Sequence, residues 1–89
     1  MIVTDNAKEQ LRERLLDHTS DPEIVLRLEL RSPENFGLAL DRRAEGDQVI
    51  EYEGSKVLLI GEDVADLADK LILSVEDAAE GPKLVVLKA

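Results

Sequence analysis

Cysteine is absent from this 89-residue chain, which excludes disulfides, thiolate nucleophiles and any metal or cluster held on sulfur. Aromatic residues are almost absent too, Phe36 and Tyr52 being the only ones. The core therefore has to be built from Leu, Val, Ile and Ala, and a chain this short buries only about 60–65% of its unfolded surface. Nowhere do more than four strongly apolar residues run consecutively, far short of the roughly 20 that a membrane-spanning helix needs. The opening Met1-Ile2-Val3-Thr4-Asp5 lacks the basic stretch and apolar run of a secretory signal. One soluble, cytoplasmic domain spanning residues 1–89 is expected.

Positive charge is scarce as well. Twenty Asp and Glu stand against eleven Lys and Arg, a net charge of −9, which repels phosphate backbones and anionic lipid alike. Neither nucleic acid nor a membrane is expected as a partner. Acidic and basic residues are interspersed rather than blocked, so most of the charge reads as a solvated surface.

Little in the chain suggests catalysis. His18 is the only histidine, and it falls at the expected end of a helix, where an imidazole complements the helix dipole without doing chemistry. The glycines, at 37, 46, 54, 61 and 81, form neither a GxG nor a GxxxxGK arrangement, so no phosphate cradle is encoded. Carboxylate pairs at Glu62-Asp63, Glu76-Asp77 and Glu51 with Glu53 follow from acidic composition, and no spacing resembles a calcium loop. Arg42-Arg43 could meet an acidic partner but reads more simply as a solvated strand end. Phe36 and Tyr52 sit beside aliphatic residues at alternating positions and are expected at the core or its margin. No catalytic, cofactor-binding or metal-ligating residue is assigned, no cofactor is expected, and the protein is not read as an enzyme.

The patterning is more informative. Ile2-Val3 reads as a short strand, and Thr4, Asp5 and Asn6 supply side-chain oxygens for the start of a helix running to about His18, with Ala7, Leu11 and Leu15 inward and Leu16 beside them. From Ile24 the period becomes two: Ile24, Leu26, Leu28 and Leu30 share one face, Arg27, Glu29 and Arg31 the other. Ser32-Pro33-Glu34-Asn35 is a turn, and Phe36, Leu38 and Leu40 resume the alternation. Ala44-Glu45-Gly46-Asp47 is a second turn. Gln48–Glu53 and Lys56–Ile60 form a hairpin, Glu62–Asp69 a short helix, and Leu71, Leu73 and Val75 a strand. After a turn over Ala78–Pro82, Lys83–Lys88 makes the last one. Two helices among about seven short, mostly antiparallel strands predict an α+β domain, a compact sandwich or barrel-like arrangement.

The order of these elements, with several local strings, resembles the HesB/IscA family of A-type iron–sulfur carrier proteins over nearly the whole chain. Ile2–Ala7 is similar to the family's opening strand and helix start, Ile24–Leu28 to its "GLRL" strand, and Phe36–Asp41 to its "YGLSLD" strand. Gly46–Val49 with Gly54–Val57 resembles "D-x-V-F-x-x-x-G-x-K-V", and Glu62 through Leu73 resembles "SLxxLxGxxIDF". Family members hold iron or a cluster on three cysteines, one in a "GCSG" loop and two in a C-terminal "CGCG" segment. Counting from Arg27 places the loop cysteine at Asn35, while counting from Asp41 places it at Arg31, so the loop is several residues shorter than the pattern. Gly81–Leu84 is similar to "GFKF", and Ala89 lies about where "CGCG" would begin. The resemblance implies a cysteine-less relative, a non-catalytic binding or regulatory module whose partners are iron–sulfur assembly proteins or another cytosolic protein. Weak binding of iron or another hard cation by carboxylates is the alternative. An exposed sheet edge leaves room for a homodimer.

Overall fold

A computed structural model describes residues 1–32 and 35–88 of the chain. Its elements are β1 (Ile2–Val3), α1 (Asp5–His18), β2 (Ile24–Ser32), β3 (Asn35–Arg42), β4 (Gln48–Tyr52), β5 (Ser55–Ile60), α2 (Glu62–Ala68), β6 (Leu71–Ala78) and β7 (Gly81–Lys88). The expected α+β class and the order of elements are thus observed. Pro33 and Glu34, in the middle of the expected first hairpin turn, lie outside the described residues.

Local chemistry accounts for most boundaries. Thr4 caps α1, its Oγ1 accepting from the Ala7 amide at 3.2 Å, and so satisfies one of the amides that a helix start leaves unpaired. At the other end the Thr19 amide donates to the Leu15 carbonyl, and Thr19 and Asp21 side chains then accept from the amides of Asp21 and Glu23, turning the chain into β2. In the β4–β5 hairpin both loop residues, Glu53 and Gly54, have positive φ, as the type I′ turn matched to strand twist requires. Arg12 of α1 holds that turn through a 2.7 Å ion pair with Glu53.

The strands form two sheets, one ordered β1-β6-β7 and the other β3-β2-β5-β4. Three hairpins are antiparallel, as the tight turns predict. The two remaining pairings, β2 with β5 joining two hairpins and β1 with β6 adding a strand to the third, are parallel. Turn signals report only pairings between consecutive strands, so these long-range joins were not legible. β7 also begins earlier than expected, at Gly81, and Pro82 lies within it opposite Asp77. This is permitted because β7 is an edge strand and needs no second partner for every amide.

One aliphatic cluster joins both sheets to α1. Ala7, Leu11 and Leu15 of the helix meet Leu26, Leu28 and Leu30 of β2, Leu58 and Ile60 of β5, and Leu71, Leu73 and Leu84 of the smaller sheet. Phe36 and Tyr52 pack at its margin as expected. Leu16, by contrast, is 64% exposed: α1 is narrow in its contact, and only the residues spaced by four reach the sheets. On β5 the alternation breaks, because Ile50 pairs with Leu58 and Glu51 with Lys56, leaving Val57 as an extra residue. This bulge brings Val57 and Leu58 into the core together.

The core contains no polar side chain among the described residues, so its stability is close to a pure packing quantity. Truncating Leu58, wholly buried on a central strand, to Ala is expected to cost about 2–5 kcal/mol. Urea denaturation followed by circular dichroism measures it, and a cost under about 1 kcal/mol, the level of a surface change, would contradict this core.

Candidate functional site

β3 and β4 lie at opposite edges of the four-stranded sheet, so the chain between Arg42 and Gln48 has to cross the faces of β2 and β5. Three strand spacings amount to about 14 Å, and six residue steps reach at most about 20 Å. The crossover has little slack. It passes over the sheet face opposite the main core, where Arg27 projects from β2. Val25 and Leu59, 1% and 0% exposed, share that face and lie outside the main cluster. α2 packs against the same two strands.

Arg27 holds this crossover through all three nitrogens of its guanidinium. Nε donates to Asp41 Oδ2 at 2.6 Å, Nη1 and Nη2 donate to the two oxygens of Asp47 at 2.9 and 2.6 Å, and Nη2 also donates to the Arg42 carbonyl at 3.2 Å. Asp47 Oδ2 in turn accepts from the Ala44 amide at 2.8 Å. The side chains of Arg27 and Asp47 are 21% and 4% exposed. Hydrogen bonding from Arg27, reinforced by the Ala44 amide, outweighs desolvation and holds the Asp47 carboxyl down to about 2. Asp41 is lowered by the same guanidinium and by the Arg42 amide, but its side chain is half exposed and solvent screens its share. Gly46 completes the crossing: its φ is +88°, and a Cβ there would collide with the Glu62 side chain at the start of α2.

None of this was assigned from sequence. Arg27 read as one of the outward-facing charges of β2, and Asp47 as turn chemistry. What was readable is that both are suited to a bidentate Arg–carboxylate pair; their approach depends on the crossover. The network is a structural clamp, since all three guanidinium nitrogens donate to protein acceptors of the crossing segment.

The residues weighed for chemistry do not converge. His18 is exposed at the end of α1 and lines a shallow groove with Arg14, Leu26, Leu38 and Leu40. Arg42 is engaged in the clamp through its carbonyl, and its Nη2 lies 3.5 Å from Asp21. Arg43 is exposed. Among the described residues no three of His, Asp and Glu come together as a metal site would require, so the carboxylate pairs at 51/53, 62/63 and 76/77 stay separate. A hollow of about 350 Å3 between the end of α1 and the β4–β5 turn has Arg12, Lys56, Asp21 and Glu23 on its walls. Charges of both signs are spread around it, and among the described residues none of its hydroxyls, on Thr19, Ser20 and Ser55, is hydrogen-bonded to a basic side chain. No helix among the described residues is long and apolar enough to cross a membrane.

The fold has solved counterparts. Neither a protein-family model nor a curated protein sequence matches the chain. Its structure is similar to Escherichia coli SufA, a protein involved in biosynthesis of iron–sulfur clusters, with a TM-score of 0.65 and 17% identity over 98% of this chain and 83% of that one. It is similar also to IscA solved with a [2Fe-2S] cluster, at 0.60 and 16% over the same shares. A protein from Aquifex aeolicus solved by NMR gives 0.67 and 21%, covering 98% of this chain and 89% of that one. The fold is therefore the one shared by SufA and IscA. A [2Fe-2S] cluster does not suit the residues present: there is no cysteine, and the one histidine is exposed beside an arginine-lined groove.

The clamp sets an acid limit on stability. Because the Asp47 carboxyl is lowered in the folded chain from 3.8 to about 2, its contribution is complete above about pH 5 and is lost as pH falls through that interval. Asp47→Asn is expected to lower stability at pH 7, with the gap to wild type narrowing towards pH 2; urea titrations across this range measure it, and a constant gap contradicts the clamp. Arg27→Ala is expected to cost about 2 kcal/mol, between the roughly 3–5 of breaking a fully buried pair and the roughly 0–1 of an exposed one. Arg27→Lys recovers little of this, since one ammonium cannot span Asp41 and both oxygens of Asp47.

Proposed function

We propose that this protein is a non-catalytic, cytoplasmic interaction module of iron–sulfur cluster biogenesis that retains an IscA-like scaffold and carries no cluster. The observation behind the reading is a mismatch: the SufA and IscA fold extends over 98% of a chain that contains no cysteine at all. A scaffold whose aliphatic core is intact among the described residues, while thiolate ligands are missing, is of use for its surface. Partners are then assembly proteins that recognise the shape of a carrier without receiving cargo from it. An oxygen-ligated metal site has no support of comparable weight, because the acidic residues are dispersed.

Two measurements test this. Anaerobic reconstitution with ferrous iron and sulfide is expected to leave the desalted protein without visible cluster absorbance, and a retained chromophore with matching iron and sulfide content would refute a cluster-free module. Affinity capture from the native cytosol is expected to enrich cysteine desulfurase or another assembly protein. Recovery of none of them, with the tagged protein folded, counts against a place in that pathway.

A further inference from the structure

The two sheets leave a seam between them. β3 is an outer strand of one and β7 of the other, and they do not pair with each other. Two shallow grooves of about 310 Å3 each lie along this seam, and Arg14 and Leu38 line both. The trough they form has an apolar floor of Leu26, Leu38, Leu40, Phe36 and Leu84, with Leu40 48% exposed although its register partner Leu26 is buried.

Its rim is of one sign. Arg14, His18 and Lys83 are exposed, and no Asp or Glu among the described residues lines either groove, in a chain with twenty acidic residues. Neither Arg14 nor Lys83 forms an ion pair among the described residues, although Glu76 lies opposite Lys83 in the register.

Among the described residues, the middle of the edge beside the trough is the least protected stretch of edge. β1 has two residues, β7 carries Pro82, Lys83 and Lys88, and β4 is short, contains Glu51 and pairs through a bulge. These are the usual means of blocking edge-to-edge pairing. β3 has its register shift at the Asn35 end and its charges, Asp41 and Arg42, at the other, so Gly37-Leu38-Ala39-Leu40 between them carries no proline, charge or bulge, and the small Gly37 and Ala39 on its other face leave space for a neighbour. The grooves are too shallow and open to enclose a small molecule, whose sites run to roughly 300–1,000 Å3 and bury most of the ligand. They suit side chains of a segment laid along the strand.

We infer that the seam is a docking site for an extended, acidic and apolar segment of a partner protein, which adds as a strand to the free edge of β3. Backbone hydrogen bonds to β3 supply attachment, alternate aliphatic side chains cover Leu38 and Leu40, and flanking carboxylates reach Arg14, His18 and Lys83. The inference rests on the interaction-module reading for the kind of partner, a protein. Its test needs only purified protein and synthetic peptides, so a failure here is separable from a failure of the cluster and capture experiments.

The probe is acetyl-Asp-Ser-Leu-Thr-Val-Ser-Glu-amide, whose alternate positions present Asp, Leu, Val and Glu to one face, with a control carrying Lys at both ends. In NMR titrations at millimolar peptide, the acidic probe is expected to shift amides over residues 36–41 and at Arg14 and Lys83. Reversing the exposed rim with R14E/K83E, which leaves the core untouched, is expected to weaken the acidic probe about tenfold or more and to favour the Lys control. No shifts with either peptide, equal binding of the two, or shifts confined to the row Ile2-Ile72-Leu87 across the smaller sheet, where Ile2 and Leu87 are exposed, each overturn the proposal. So does a peptide-free protein whose β3 amides become protected from exchange as concentration rises, which makes a second copy of the chain the occupant.

Discussion

The path of the chain from β3 to β4 is the constraint on which the larger sheet depends. Strands from opposite edges are joined by a short segment that has to lie across the sheet's outer face, and a segment so placed brings backbone polar groups over buried Val25 and Leu59. Arg27 resolves this by standing in the middle of the face and donating to two carboxylates and a carbonyl on the segment crossing it. The charges are never buried unpaired, and the carboxylate least exposed to water, Asp47, is the one with the most donors. The same contacts seat Gly46 against the beginning of α2, so crossover, sheet and second helix are held as one layer.

On the other side of that sheet stability comes from a different source. With only Phe36 and Tyr52 as aromatics, and both at the margin, the interior is filled by Leu, Ile, Val and Ala from every element. Such side chains fill space only when several surfaces converge on them. That is the place of α1, which lies against strands of both sheets, and of the bulge at Val57, which adds one more aliphatic residue to the inner face of β5. The division is economical for a short acidic chain: the inner face is wholly apolar, the outer face is clamped by ions, and the remaining charge is left to solvent.

The relation to SufA and IscA is then one of architecture. Their fold is reproduced at low identity because its requirements are generic: alternation in the strands, an i, i+4 stripe on α1, a capped helix start and tight hairpin turns. None of these requirements involves a thiolate. A chain without cysteine can therefore adopt this fold with its packing intact.

What the amino-acid order determined unaided was local. The start of α1, the hairpins, the inward set Ala7, Leu11, Leu15, Leu26, Leu28 and Leu30, and the lack of cysteine were all readable, because each follows from neighbours along the chain or from composition. Leu16, expected beside the inward stripe, is exposed, since the width of a helix contact is decided by what faces it. The parallel joins of β1 with β6 and β2 with β5, the Arg27–Asp47 clamp and the cation-rimmed seam beside β3 were decided only in three dimensions. Each joins residues from separate elements, and the energy that selects them arises when the crossover places Asp47 over β2 and when the two sheets, packed on one helix, leave an edge uncovered.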